Sequence, residues 1–297
     1  MRLSAGFMRA ESVEEAIQGL QSSGGDGLLL AGGTVVASLI NQRLASPALL
    51  IDIARIDALK QIRSEPDGAL VIGALVTHQQ LLRSPQVRAH SPILTEIAKE
   101  ISCGRLRSRG TLGGSVCMIG QQGDPATGLL ALDAEVDIRG PNGPRRLPLR
   151  SFYKDAFSTD LAADEVVVAL RVPPPPVGAS AAFQKFGPRN AMDFTLIAVA
   201  VVLIANERDN LIEDIRIGMN GVAATALRAR RAEQAIRGRP AQAIDWDEVR
   251  RALQEEIAPP GDLIYSEPYK RHLAGVLLQR ACVAALARRR PAPGRPQ

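Results

Sequence analysis

Along residues 1–176, short apolar runs alternate with stretches of helical spacing, the pattern of a mixed α/β architecture. Ser12-Val-Glu-Glu15 has the form of a capping box and predicts a first helix over about 13–20, ended by Gly24-Gly25. Strands are expected at Leu28–Leu30, Leu49–Ile53, Leu70–Ile72, Glu135–Ile138 and Val166–Val172, and helices at His78–Leu82 behind a Thr77 cap, Pro92–Ile101 and Asp124–Leu132. Pro173-Pro174-Pro175-Pro176 continues neither a helix nor a central strand, so it marks a boundary. Beyond it, β-like stretches at Ala182–Phe186, Thr195–Ile204 and Ile212–Met219 precede helical patterns, and Asn206–Asn210 reads as a hairpin connector. The expected fold is α+β: residues 1–176 as one domain, 177–290 as an antiparallel sheet backed by helices, and 291–297 as a basic tail.

The 297 residues suffice for two ordinary domains, and 46% hydrophobic with 23% charged residues excludes wholesale disorder. The longest apolar run, Leu196–Ala205, is about half of a membrane span. Glutamates at 11, 14 and 15 interrupt the place where a secretory signal would carry its apolar core, so a cytoplasmic location is expected. Residues 1–176 balance 18 basic against 18 acidic side chains, and 177–297 carry 18 against 13, so the net charge of +5 lies in the second part. With aromatics at only 3%, there is no interleaving of arginines and stacking rings, which argues against a nucleic-acid partner. Cys103, Cys117 and Cys282 are too few and too scattered for a disulfide framework or a metal cluster in this chain.

Two Gly-Gly segments carry the candidate chemistry: Ala31-Gly32-Gly33-Thr34 and Thr111-Leu112-Gly113-Gly114-Ser115. Paired glycines let backbone N–H groups approach and surround an anion such as a pyrophosphate. Each segment alone reads more readily as a tight turn, and neither fits the dinucleotide fingerprint of a Rossmann fold or a Walker loop.

The two segments with Leu39–Arg43, Leu50-Ile-Asp-Ile53, Ile72-Gly-Ala74, Thr77-His78 and Arg107-x-Arg109 together resemble one family in order and spacing. It is the FAD-binding medium subunit of molybdenum hydroxylases, similar to the flavoprotein of carbon monoxide dehydrogenase and the middle portion of xanthine dehydrogenase. Asp164–Pro173, Lys185-Phe186 and Tyr269–Leu273 extend the resemblance over nearly the whole chain.

The resemblance implies a PCMH-type FAD-binding domain of two α/β subdomains, about 1–57 and 58–176, followed by a C-terminal domain with a three-stranded antiparallel sheet and helices. It implies that Ala31, Gly32, Gly33, Thr34, Val35 and Val36 in the first loop, and Thr111, Leu112, Gly113, Gly114 and Ser115 in the second, hold the FAD pyrophosphate. Asp124 would contact the adenosine part, Lys185 would stand close to the flavin ring, and Val167 would make an apolar contact. Partners would be a large subunit with the molybdenum cofactor and a small subunit with [2Fe–2S] clusters, assembled as a dimer of heterotrimers. Electrons would leave to an external acceptor. Two segments depart from the family pattern: Thr34-Val-Val-Ala-Ser38, and the loop between Ser115 and Asp124, which lacks a proline turn. Alternative readings are a self-contained flavin oxidoreductase of the same fold and a flavin-free structural subunit.

The remaining polar residues have plainer expectations. His78, His90 and His272 are read as surface or capping residues, and Cys103 and Cys117 as small apolar ones. Asp133, Glu135 and Asp137 alternate with apolar residues as on the solvent side of an edge strand. Arg228, Arg230 and Arg231 are assigned to a solvated helical face, with a partner-subunit contact as the second reading.

Overall fold

The computed structural model describes residues 5–117, 123–189, 194–206 and 210–289. The basic tail, most of the hairpin connector and residues 118–122 of the loop after Ser115 lie outside the described residues.

The chain begins with β1 (Gly6–Arg9), α1 (Val13–Ser22), β2 (Gly27–Leu30), α2 (Val36–Asn41) and β3 (Leu49–Asp52), and β3 pairs in parallel with β1 and β2 on either side. Ser12 caps α1 by accepting the N–H of Glu15, but the Glu15 carboxylate accepts from Glu11 rather than from Ser12, so only half of the expected capping box forms. Val13, Ala16, Ile17 and Leu20 recur at helical spacing on one face and bury it against Ile51 and Ile53.

Next come β4 (Ile62–Ser64), β5 (Leu70–Gly73), α3 (His78–Arg83), α4 (Pro85–His90), α5 (Pro92–Glu100), α6 (Gly104–Arg107), α7 (Leu112–Cys117) and α8 (Asp124–Ala131). They are followed by β6 (Glu135–Gly140), β7 (Gly143–Pro148), α9 (Leu149–Phe152), β8 (Tyr153–Asp155), β9 (Ser158–Thr159) and β10 (Val166–Val172). Strands β4, β5, β10, β6 and β7 form a five-stranded antiparallel sheet in that order. The fully buried Leu70, Ile72, Leu170, Ile138 and Ile97 lie in its core, each contributing about 2 kcal/mol by leaving water.

After the proline connector, which has no regular structure, β11 (Ser180–Phe186), β12 (Ile197–Ala205), β13 (Ile212–Asn220) and β14 (Leu227–Arg228) make an antiparallel sheet. The chain ends with α10 (Arg230–Ile236), α11 (Trp246–Gln254) and α12 (Glu267–Ala287). This sheet has four strands, not the three expected, because the two-residue β14 pairs with Gly218 and Met219. Such a fragment is too short to carry an alternating pattern. The continuous apolar run of β12 has a simple cause: Ala198, Ala200 and Val202 join the core shared with α5 and α8, while Ile197, Val199, Val201 and Leu203 face the core under α12.

Three other expectations are corrected. Strand β6 is interior, between β10 and β7, and its carboxylates are neutralised by neighbours rather than left in water. Glu135 accepts from Arg171 at 3.0 Å and Asp137 from Arg146 at 2.5 Å. Asp133, just before the strand, pairs with Arg216 and Arg228. Arg228 is in β14 rather than on a helix, and its guanidinium is nearly buried between Asp133 and Glu233. His78 is neither at the surface nor a capping side chain but almost fully buried.

Candidate functional site

The two Gly-Gly segments converge on one cleft of about 250 Å³ between the parallel sheet and the five-stranded sheet. The first segment leaves the carboxyl end of β2, where an open parallel sheet directs its loops toward ligands. Residues 31–35 link β2 to α2, and Gly33 makes the turn at φ +74°, a left-handed conformation that favours glycine. Among the described residues, none accepts from the N–H groups of Gly32, Gly33, Thr34 or Val35. Four consecutive donors without internal partners, at the start of a helix, suit an anion.

The second segment is built differently. After β5 the chain runs on from Ala74 to His78 alongside residues 110–113, with the N–H groups of His78, Leu112 and Gly113 donating to Gly110, Val76 and Ala74 at 2.9–3.0 Å. From Leu112 onward the segment is helical. Thr111 Oγ1 accepts from the Gly114 N–H at 3.1 Å, and the Thr111 carbonyl accepts from Ser115. The sequence placed a loop here because two glycines in a six-residue helix oppose helix propensity. Close packing overrides that preference, since a Cβ on Gly113 would stand 2.6 Å from Ala74 Cβ.

The two segments touch. A Cβ on Gly32 would stand 1.8 Å from the carbonyl oxygen of Arg109, so only glycine allows this approach. The Arg109 guanidinium reaches back to the Gly32 carbonyl at 3.4 Å.

Ala31, Gly32, Gly33, Thr34, Val35 and Val36 line the cleft, as do Thr111, Gly113, Gly114, Ser115 and Val167. Leu112 does not, because its side chain is in the core beneath. Asp124 and Lys185 do not line it either. They form an ion pair at 2.7 Å with side chains only 6% and 13% exposed, and Asp124 also accepts from Thr195 while Lys185 donates to the Glu100 carbonyl. The pair ties the start of α8 to β11.

Sequence reasoning missed several wall residues. Leu20, Leu28, Leu29, Ile53, Leu75, Leu161 and Ala163 give the cleft apolar sides. Glu165 also lines it, its carboxylate held bidentately by Arg145 at 2.6–2.7 Å and kept below its usual range by that guanidinium. Cys117 faces the cleft, and burial pushes its thiol up to about 12, so it is a protonated, poorly nucleophilic group. His78 was visible beside Thr77 in the sequence, but nothing local signalled that its ring reaches Ser115, 37 positions away. Its Nε2 is 2.8 Å from Ser115 Oγ, and burial lowers its pKa to about 4.

Residues 3–175 match the model of the FAD binding domain in molybdopterin dehydrogenase, and residues 181–285 that of the CO dehydrogenase flavoprotein C-terminal domain. The chain therefore belongs to the FAD-binding medium-subunit family of the molybdenum hydroxylases, an oxidoreductase component. It is 36% identical over 282 residues to the carbon monoxide dehydrogenase medium chain of Hydrogenophaga pseudoflava, covering 94% of this chain and 96% of that one. The xanthine dehydrogenase FAD-binding subunit of Escherichia coli O157:H7 is 29% identical over 286 residues, covering 95% and 96%. A solved carbon monoxide dehydrogenase from H. pseudoflava, lacking the Mo-pyranopterin moiety, superposes with a TM-score of 0.92 at 35% identity, covering 96% of this chain and 98% of that one. Quinoline 2-oxidoreductase from Pseudomonas putida 86 gives 0.87 at 27% identity, with 95% and 97% covered. FAD fits the cleft's chemistry: free N–H donors and hydroxyls for phosphate oxygens, beside apolar walls.

Among the described residues no helix is long and apolar enough to cross a membrane.

Proposed function

We propose that this chain is the electron-exit subunit of a molybdenum hydroxylase, taking electrons from the [2Fe–2S] clusters of a small partner and delivering them to an external acceptor, while a large partner oxidises substrate at molybdenum. The observation that carries the reading is the row of N–H groups at Gly32–Val35, without partners among the described residues, beside a cleft lined by Thr111 and Ser115. Bound FAD supplies redox chemistry suited to one-electron donors and two-electron acceptors.

The chain's own residues bind and position. The 32–35 amides and the hydroxyls of Thr34, Thr111 and Ser115 hold the pyrophosphate, and Gly114 leaves room for it. Leu28, Leu29 and Val167 keep water from the apolar flank of the cleft. Asp124 and Lys185 fix the relation between the FAD-binding domain, residues 1–176, and the C-terminal domain, residues 177–290. Selection of the substrate falls to the large partner. The proposed assembly is a cytoplasmic dimer of heterotrimers.

The test is the visible spectrum of the purified full chain, alone and reconstituted with both partners. A flavin spectrum that bleaches with substrate only in the reconstituted complex is expected. Bleaching by substrate without partners would establish a self-contained oxidoreductase, and a chain that takes up no FAD would be a structural subunit.

A further inference from the structure

We propose that His78 is a positioning residue for the cofactor site: it orients the Ser115 hydroxyl so that its proton is donated to a phosphate oxygen of the bound dinucleotide. The proposal rests on the reading of the cleft as an FAD site.

His78 opens α3, and its place is set by the backbone: its N–H donates to the Gly110 carbonyl, and the Thr77–Gln80 capping box fixes the turn around it. The ring lies against Gly110, where an added Cβ would be 3.1 Å from His78 Cδ2. The residue is 3% exposed, and a ring removed from water favours its neutral form.

A neutral imidazole has one N–H, and the surroundings decide which nitrogen carries it. Nε2 has Ser115 Oγ at 2.8 Å, whereas Nδ1 is buried without a partner among the described residues. A buried N–H left unpaired costs more than a buried lone pair left unpaired, so the proton belongs on Nε2. The imidazole then donates to Ser115 Oγ, and the serine proton must point elsewhere.

Among the described residues that proton has no acceptor. Ser115 is helical, but its hydroxyl makes no bond back to the Thr111 carbonyl, and among the described residues nothing else accepts from it. It faces the cleft, as does Thr111 one turn earlier on the same helical face. Thr111 Oγ1 accepts from the Gly114 N–H, which likewise leaves its hydroxyl proton free for the cleft. The second segment, whose amides from Leu112 to Ser115 are already used, thus donates through hydroxyls. The chain of bonds from His78 through Ser115 to a phosphate is polarised in one direction, which strengthens each bond.

The test is a double-mutant cycle on FAD affinity in the full chain, with Ser115→Ala, His78→Leu, the pair together, and His78→Gln, whose amide N–H can replace Nε2. Ser115→Ala and His78→Leu should each weaken binding about tenfold, the worth of one hydrogen bond to a charged group. The double variant should be no weaker than either single one, and His78→Gln should bind nearly as the wild type. Multiplying losses in the double variant, about a hundredfold together, would make His78 merely structural and overturn the proposal. Should His78→Leu fail to fold, nitrogen-15 NMR of the wild type decides: the Nε2–H tautomer is expected, and Nδ1–H overturns it. Failure of the underlying reading is distinguishable, because the wild-type chain would then bind no FAD at all.

Discussion

The two Gly-Gly segments share a dipeptide and a cleft but work in opposite ways. At Gly32-Gly33 the amides donate to no acceptor among the described residues. At Gly113-Gly114 the backbone is braced against Ala74–Val76 and folded into a helix, its amides are used, and the donors left for a ligand are side-chain hydroxyls held by Thr111's own capping bond and by His78. Close approach needs one glycine in each segment, Gly32 against the Arg109 carbonyl and Gly113 against Ala74, while Gly33 makes the turn that presents the first segment's amides. A motif thus tells where a chain needs small residues, and its hydrogen-bond accounting tells why.

The strongest way to break this comparison is Gly32→Ala. Its methyl group would collide with the Arg109 carbonyl, so the two segments must separate, and a loss of more than about 4 kcal/mol in denaturant unfolding is expected, with no FAD retained. Gly114→Val tests the opposite case. The added Cβ meets only the Thr111 hydroxyl at 2.9 Å, so the fold should survive within about 1 kcal/mol, while the side chain intrudes on the pyrophosphate and lowers FAD affinity by about a hundredfold or more. A variant that unfolds, or one that keeps stoichiometric FAD, would contradict the division of roles.

Acid should separate the two segments further. His78 has a folded pKa of about 4 against 6.5 when unfolded, so between those values the unfolded chain binds a proton that the native chain refuses. The neutral ring's contribution is complete above about pH 6.5 and is lost as pH falls toward 4, by roughly 3 kcal/mol in all. Urea unfolding across this range should give a steeper decline for the wild type than for His78→Gln. Equal slopes would mean that the buried ring is not what braces the second segment. The smallest effect is expected from Gly33→Ala, which forces a methyl-bearing residue to φ +74° and should cost about 1–2 kcal/mol while leaving the amide donors in place and weakening FAD only slightly.

Much of the frame was legible along the chain. Val166–Val172 is a strand with the limits its apolar run indicates, and α8 starts at Asp124 as its pattern requires. β1, β14, α2 and α7 escaped because each spans fewer than two full helical turns or at most two alternations of a strand, and α7 also opposes helix propensity. The alternating acids around β6 resembled an edge strand because their arginines come from other strands.

By itself the sequence determined the succession of larger elements, the break at Pro173–Pro176 and the two small-residue segments, since periodicity, proline geometry and steric size act locally. Only the tertiary structure decided which donors remain free, that Asp124 meets Lys185 rather than lining the cleft, and that a buried histidine stands behind Ser115. These are properties of groups 37 to 61 residues apart, and hydrogen bonding and burial between such groups exist only once the chain has closed on itself.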